Sequence, residues 1–437
     1  MNFDFSQEFE NGHIIRPLHP GDIHQYIEIY LNAYPSGKDL SADGIRYYTE
    51  KTLKAMSDFD DINFFGYFQD NKLVATMKLI DFSMNLYGKM VPATGLMALG
   101  VHPIYKKQGI AGRMVEFFED YTKKSGALVS LLLPFRVDFY RRLGYGCGTR
   151  MTRFHIPTDQ LPKSATDSAL TLELLDKSQI GDVLSCYEDF AEHNHGALKK
   201  FSEEIRDIKE DCDTKYIGCY DDEFLEGYAA FKIINDSSAN YTINHIEVKE
   251  LIYSNSTVLR KLLHGLRMQS DLASSVILTT GEEDFYHILT SPQDVTGNYY
   301  DFGFLQTNTQ ALGTMYKIPD LPRFIAASYY REFPHYTLSV GITVTSEDGG
   351  DIEKLGVLFQ PDEGNSKVSR MSCEPFSSGS DVFMRIKLSD LSAVLMGSAR
   401  INALVRLGAV TLSDDSFVEA LDRLFLAEQM PYTNTDY

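Results

Sequence analysis

Cysteine is scarce in this chain: five residues in 437 (Cys147, Cys186, Cys212, Cys219 and Cys373), odd in number and never spaced Cys-x-x-Cys. That excludes a disulfide-framed secreted module and a cysteine zinc site, and it points to reduced thiols in a cytoplasmic protein. Basic residues are outnumbered, 41 Lys and Arg against 61 Asp and Glu, for a net charge of −20. A phosphate-rich partner needs a basic face, so neither nucleic acid nor an anionic membrane surface is expected. The same charge suits a cationic substrate, although plain solubility is the better account of the total charge alone. No apolar run reaches the ~18 residues of a membrane-spanning helix. Met1-Asn-Phe-Asp-Phe5 lacks the basic and apolar stretches of a secretory leader. What is plentiful is apolar and aromatic matter, 43% apolar residues with 26 Tyr and 27 Phe, enough for packed cores. The length predicts two or three domains of roughly 100–200 residues.

The most informative stretch is Leu99-Gly-Val-His-Pro-Ile-Tyr-Lys-Lys-Gln-Gly-Ile-Ala-Gly112. An alternating run from Thr94 to Val101 reads as a strand that Pro103 ends, and Arg113 to Lys124 has helical periodicity. A strand feeding a Gly-rich turn and a helix N-terminus makes an anion site, because the first helical N–H groups lack partners. Gly109 and Gly112 clear the way for a pyrophosphate, and Lys106 and Lys107 add positive charge. Downstream come a strand from Ala127 to Leu133, a short helix, and Phe139-Tyr-Arg-Arg-Leu-Gly-Tyr-Gly146.

Residues 10 to 155 read α-α-β-β-β-β-α-β-α-β. Helices are expected at Ile23 to Ala33 and Ser41 to Met56, strands at Asn63 to Gln69 and Leu73 to Asp81, and turns at Asp70-Asn71-Lys72 and Asn85 to Lys89. A linker follows at Ile156 to Asp167. A second segment, Leu170 to Val295, repeats the pattern weakly, with Leu251-Ile-Tyr-Ser-Asn-Ser-Thr257 where the Gly-rich turn stood. That turn has no glycine and no basic cluster, so this copy is not expected to hold a pyrophosphate. The third segment, from Leu305, reads as a helix (Pro319 to Tyr330), four antiparallel strands (Thr337 to Ser346, Leu355 to Gln360, Val368 to Pro375, Ser380 to Leu388) and two helices.

Lys106-x-x-Gly109-x-Ala111 resembles the acetyl-CoA signature of GCN5-related N-acetyltransferases (GNAT), and Phe139-Tyr140-Arg-Arg-Leu-Gly-Tyr145 resembles the motif closing their catalytic half. The third segment resembles a sterol-carrier α+β domain. The combination resembles the Eis (enhanced intracellular survival) family over nearly the whole chain. The resemblance implies an α/β and α+β protein: a catalytic GNAT domain at 1–155, a degenerate GNAT-like domain at 156–300, and a sterol-carrier-like domain at 301–437. It implies an N-acetyltransferase that uses acetyl-CoA and no metal, acts on small cationic amines, aminoglycoside- or polyamine-like, and assembles as a homo-hexamer. It assigns Leu99, Gly100, Val101, Lys106, Lys107, Gly109, Ile110, Ala111 and Gly112 to acetyl-CoA, Tyr34, Phe135 and Asp436 to the substrate, and Tyr140 and the terminal carboxylate of Tyr437 to catalysis. Where the family has an acidic residue after the first helix, this chain has Tyr34-Pro-Ser-Gly-Lys38.

The implied chemistry is coherent. An amine attacks a thioester only when neutral, so a base must take its proton, and the leaving sulfur needs an acid. A tyrosine of pKa ~10 can donate a proton and a carboxylate can accept one. Backbone N–H groups around Leu99 to Val101 can polarise the carbonyl. Tyr145 is the alternative acid, though it also reads as core. His102 reads as a cap of the loop, His193-x-His195 as a surface pair, and Glu203 to Glu210 as a solvated helix face. Two other functions remain open: an acyl-CoA or lipid carrier with vestigial transferase domains, and a protein lysine acetyltransferase. The intact loop at 106–112 and Tyr140 favour the enzyme.

Overall fold

Two long strands, Lys72–Leu86 and Lys89–Val101, form the spine of the first sheet. They are joined by Tyr87 and Gly88, both at positive φ, the two-residue turn whose twist matches antiparallel strands. Asp70 and Asn71 make the same turn between Ile62–Gln69 and Lys72–Leu86. The computed structural model describes residues 5–10, 12–163, 169–365 and 367–435. Among them the strands form sheets of eight, seven and six members and one two-stranded hairpin.

The first sheet differs from the expected order at both ends. A strand at Ile14–Pro17 precedes helix Ile23–Ala33, and it is four residues long with no alternation to announce it. The expected four central strands are three, because Lys72–Leu86 and Lys89–Val101 each run unbroken. At the far edge Met315–Lys317 inserts between Val129–Leu132 and Gly146–Cys147, so a segment far along the chain completes this sheet. Gly148 permits the approach: a Cβ there would lie 1.9 Å from the Thr314 carbonyl oxygen.

Strand Arg150–Pro157 crosses the expected boundary at residue 155 and pairs with Ser275–Thr280 in the second sheet. That sheet runs Thr309–Leu312, Arg150–Pro157, Ser275–Thr280, Asn244–Tyr253, Phe224–Asn235, Lys215–Asp221, Thr171–Leu175. In the third sheet the expected all-antiparallel order is corrected. Leu338–Thr345 pairs parallel to Val382–Lys387, because the chain crosses the sheet between residues 374 and 382. Gly341 and Gly356, cross-strand partners, leave room for the crossing: Cβ atoms there would lie 3.2 Å from the Phe376 ring and 2.8 Å from the Pro375 carbonyl oxygen.

The three parts share apolar matter. One buried cluster runs from Tyr26 and Phe64 through Val129 and Tyr316 to Phe359 and Phe425. A polar junction lies beside it. His195 stacks on Tyr87 with ring centroids 4.0 Å apart, and the Arg331 guanidinium lies 3.6 Å over the Tyr87 ring. His195 Nδ1 accepts the Tyr87 N–H at 3.1 Å, and Nε2 lies 2.9 Å from the Met396 carbonyl oxygen as donor. These contacts suit the neutral ring. Burial, with the Arg331 charge adding to it, pushes His195 down from 6.5 to about 4.

A histidine lowered in this way binds its proton in the unfolded chain first. Stability is therefore complete above the ordinary pKa of 6.5 and falls as pH drops towards 4, by on the order of 3 kcal/mol. Chemical denaturation at pH 7 and pH 4.5 should show a larger loss in the parent than in His195→Gln. Equal losses would contradict this role.

Candidate active site

The site begins with a pairing that stops. Strand Lys89–Val101 lies parallel to Val129–Leu132 only from Ala93 to Leu96. Past Leu96 it continues to Val101 with its other neighbour, Lys72–Leu86, and that register is interrupted by a bulge between Thr76 and Lys78. Ala98, in the bulge, has φ +53°. A bulge re-aims a strand and increases its twist. The two parallel strands part, and their inward backbone groups are left facing a wedge.

The wedge is a cleft of about 360 Å³. Leu99, Gly100 and Val101 line one wall. Lys106, Lys107, Gly109, Ile110, Ala111 and Gly112 also line the cleft, together with Tyr34, Phe135, Arg136 and Phe139. The residues assigned from sequence to an anionic cofactor thus share one cavity with Tyr34 and Phe135. Sequence reasoning missed Ala33, Tyr105, Arg136 and Phe139, which also line it. Tyr105 and Phe139 lie inside the two motifs, and Ala33 and Arg136 are next to Tyr34 and Phe135, so position in the sequence is the signal that marks them.

Helix Ile110–Ser125 starts at the cleft. Its N-cap is Gly109 at φ +78°, with no side chain capping the first turn, and Lys107 before it is also left-handed at φ +63°. A Cβ added at Gly109 or Gly112 would meet no protein atom within 4 Å, so both open onto free space. The N–H groups of the first turn have no helical partners and carry the positive end of the dipole. Lys106 and Lys107 add cationic charge beside them. Arg136 is partly neutralised by Asp138, at 3.1 and 2.5 Å.

Of the two candidate tyrosines, Tyr34 lines the cleft and Tyr140 does not. The Tyr34 hydroxyl donates to the Leu99 carbonyl oxygen at 3.0 Å, and burial pushes it up to about 12. Tyr140 lies in helix Val137–Arg142 directly behind Phe139, with ring centroids 5.0 Å apart, and only 7% exposed. Burial, then the neighbouring Tyr34, holds the Tyr140 hydroxyl well above the ordinary tyrosine range, so it stays protonated at neutral pH. Tyr145 is fully buried against Phe118 and Tyr140, as a core residue. His102 sits 3.5 Å from Glu28 at the mouth of the loop. The two histidines of His193-x-His195 part company: His193 is exposed, and His195 is in the junction described above. Among the described residues no three His, Cys, Asp or Glu side chains gather as a metal site. Asp436 and Tyr437 lie outside the described residues.

The second sheet has a cleft in the equivalent place, about 1260 Å³, between Leu251–Ser254 and Thr280–Asp284. Its helix, Ser256–Arg267, begins differently. Asn255 accepts the N–H groups of Thr257 and Val258 at 2.9 and 3.1 Å, so the helix N-terminus is capped by its own chain.

Known proteins share this arrangement. Residues 14–148 match an acetyltransferase (GNAT) domain, residues 196–306 a second acetyltransferase (GNAT) domain, and residues 357–434 a sterol carrier protein domain. No curated protein matches the chain. Several solved structures match in fold along their whole length. A probable N-acyltransferase of unknown function from Enterococcus faecalis superposes with a TM-score of 0.77 at 15% identity, over 99% of this chain and 100% of that one. A GCN5-related N-acetyltransferase from Anabaena variabilis gives 0.74 at 14% identity, over 97% and 100%. Eis1 from Mycobacterium abscessus gives 0.72 at 18% identity, over 97% and 100%. The chain is built of two acetyltransferase (GNAT) domains followed by a sterol carrier protein domain, and it is an enzyme of the N-acetyltransferase class.

Proposed function

We propose that this enzyme is Eis-like and transfers acetyl from acetyl-CoA directly to the amine of a small cationic substrate, with Tyr140 as general acid and the α-carboxylate of Tyr437 as base. The observation that carries the reading is the parting of two parallel strands beside an uncapped, glycine-bordered helix N-terminus. The full-length likeness in fold to Eis1 supports it.

The cleft residues suit acetyl-CoA. Lys106, Lys107 and the N–H groups of Ile110 to Gly112 would hold the pyrophosphate, where Gly109 and Gly112 present no side chain. When bound, acetyl-CoA supplies an acetyl thioester. The backbone N–H groups past Leu96 can then donate to an oxygen on which charge develops. The Tyr140 hydroxyl, kept protonated, can give its proton to a leaving sulfur. The terminal carboxylate can take a proton from an ammonium substrate and release the neutral amine. Tyr34 and Phe135 border the substrate side, and Asp436 adds negative charge for a cation. The net charge of −20 favours such a substrate's approach.

Three substitutions test this. Gly112→Glu places a carboxylate where the pyrophosphate is expected. The helix should tolerate it, since Glu is a better helix former than Gly by about 0.5–1 kcal/mol. Calorimetry should find acetyl-CoA binding lost with thermal stability kept, and unchanged affinity would remove the cofactor assignment. Tyr140→Phe keeps the ring and should lower kcat by about 10²–10⁴-fold with acetyl-CoA affinity intact. Parent-like turnover would make Tyr140 a packing residue. At the chain end, an extension or deletion of Tyr437 should abolish turnover, while Tyr437→Phe and an N-terminal tag are tolerated. Full activity with a C-terminal tag would remove the carboxylate from the mechanism, and a carrier protein would show no such asymmetry.

A further inference from the structure

One cation of the first domain is held by rings rather than by a carboxylate. Tyr26 and Tyr30 in helix Ile23–Ala33, and Tyr34 just past its end, stand four residues apart on one face. Their ring centroids are 6.0 Å apart from Tyr26 to Tyr30 and 5.7 Å apart from Tyr30 to Tyr34. Helix Ala42–Asp58 brings Tyr48 edge-on to Tyr30, with centroids 6.3 Å apart at 69°. Lys38 Nζ lies over both rings, 5.1 Å from the Tyr30 centroid and 5.2 Å from that of Tyr48. Both distances are within the reach of a cation–π contact. Among the described residues this ammonium has no carboxylate at ion-pair distance. The carboxylate next to it in sequence is engaged elsewhere: Asp39 accepts the Ser41 N–H at 2.8 Å.

This box of rings adjoins the cleft. Tyr34 and Ala33 both line the cleft, and the Tyr34 hydroxyl donates to the Leu99 carbonyl oxygen at 3.0 Å. The helix packs directly on the parted strand, where a Cβ at Gly100 would lie 3.1 Å from Ala33 Cβ and 3.3 Å from Ile29 Cγ2. Tyr34 is therefore shared: its ring borders the box and its hydroxyl reaches the strand. On the outer side Pro35, Ser36 and Gly37 are exposed, and Lys38 is only half-buried. Gly37 has φ +73°, and a Cβ there would meet nothing within 4 Å. The lysine is carried on a loop with little packed against it, and ring faces detain its ammonium.

A lysine side chain is a butylammonium group. Rings that hold it without an anion can hold another alkylammonium in its place, and a cation–π contact at a half-exposed site is weak enough to exchange. We propose that the rings of Tyr30 and Tyr48, beside Tyr34, form a site for an alkylammonium group of the acceptor, and that Lys38 is its resident occupant, displaced when the acceptor binds. This deepens the reading of the cleft as an amine acetyltransferase and rests on it. The acceptor class is an amine carried on a flexible alkyl chain, as in a polyamine. Lys38 lowers the apparent affinity for it by the fraction of molecules in which the lysine fills the box.

The test titrates spermine by calorimetry into the full chain with CoA bound, a complex that cannot transfer acetyl, and measures KM for spermine with acetyl-CoA. Lys38→Met keeps the length of the side chain and removes its charge. It should bind spermine about 3–10-fold more tightly than the parent, and KM should fall to match, with acetyl-CoA affinity and melting temperature kept. Lys54→Met removes the same charge from an exposed position of helix Ala42–Asp58 and should change neither. Tyr48→Leu should weaken spermine binding and abolish the effect of Lys38→Met in the double variant. Tyr48→Phe, which keeps the ring, should recover most of what Tyr48→Leu loses. Tetramethylammonium, which has no lone pair to acetylate, should compete with spermine better than sodium does at equal ionic strength. Parent-like spermine affinity in Lys38→Met, an equal gain in Lys54→Met, or equal inhibition by the two salts overturns the inference and leaves acetyl transfer standing. A lower melting temperature with weaker spermine binding in Lys38→Met makes the lysine a strut and also overturns it, as does a parent that acetylates kanamycin but not spermine. A parent inert towards both amines overturns the reading underneath and the box with it.

Discussion

The site depends on one hydrogen-bonded ladder that ends early. Strand Lys89–Val101 has a parallel partner only as far as Leu96. Had the ladder continued, the backbone groups of Leu99 to Val101 would be satisfied by a neighbouring strand and no ligand could reach them. The bulge at Ala98, flanked on both sides by antiparallel pairing to Lys72–Leu86, turns the strand away and keeps the wedge open. Helix Ile110–Ser125 delivers its uncapped N-terminus to the same opening. The second domain shows the contrast. Its cleft is larger, but Asn255 occupies the donors that an anion would need.

The other parts of the chain hold this wedge in shape. Met315–Lys317, from the entry to the sterol carrier domain, fills the sheet between Val129–Leu132 and Gly146–Cys147, on the far side of the parting. A common buried cluster joins the first and third domains. His195, Tyr87 and Arg331 bring all three together, and the segment from Pro431 to Thr435 runs beside that junction.

What the sequence made legible was local. Helix Ile23–Ala33 has the bounds its periodicity gives, and the turn at Asp70-Asn71 follows from residues that tolerate positive φ. The loop from Leu99 to Gly112 could be read because its elements and spacing are contiguous. What stayed hidden depends on distant partners. Ile14–Pro17 and Met315–Lys317 are too short to show a period and are strands because a neighbouring strand pairs with each of them on either side. The parallel direction of Val382–Lys387 follows from a crossing that two facing glycines permit. A hydrogen bond between Tyr187 and Thr435 joins residues 248 positions apart, and neither side chain has any local feature to mark it.

The central claim is that this cleft moves an acetyl group onto an amine. The most direct measurement is release of free CoA thiol from acetyl-CoA across a panel of polyamines, aminoglycosides and basic peptides, with each acceptor weighed by mass spectrometry. The account predicts thiol release that requires a cationic small amine, with one acetyl gained on the acceptor for each thiol freed. Tight acetyl-CoA binding with no amine-dependent thiol release from any acceptor would contradict it.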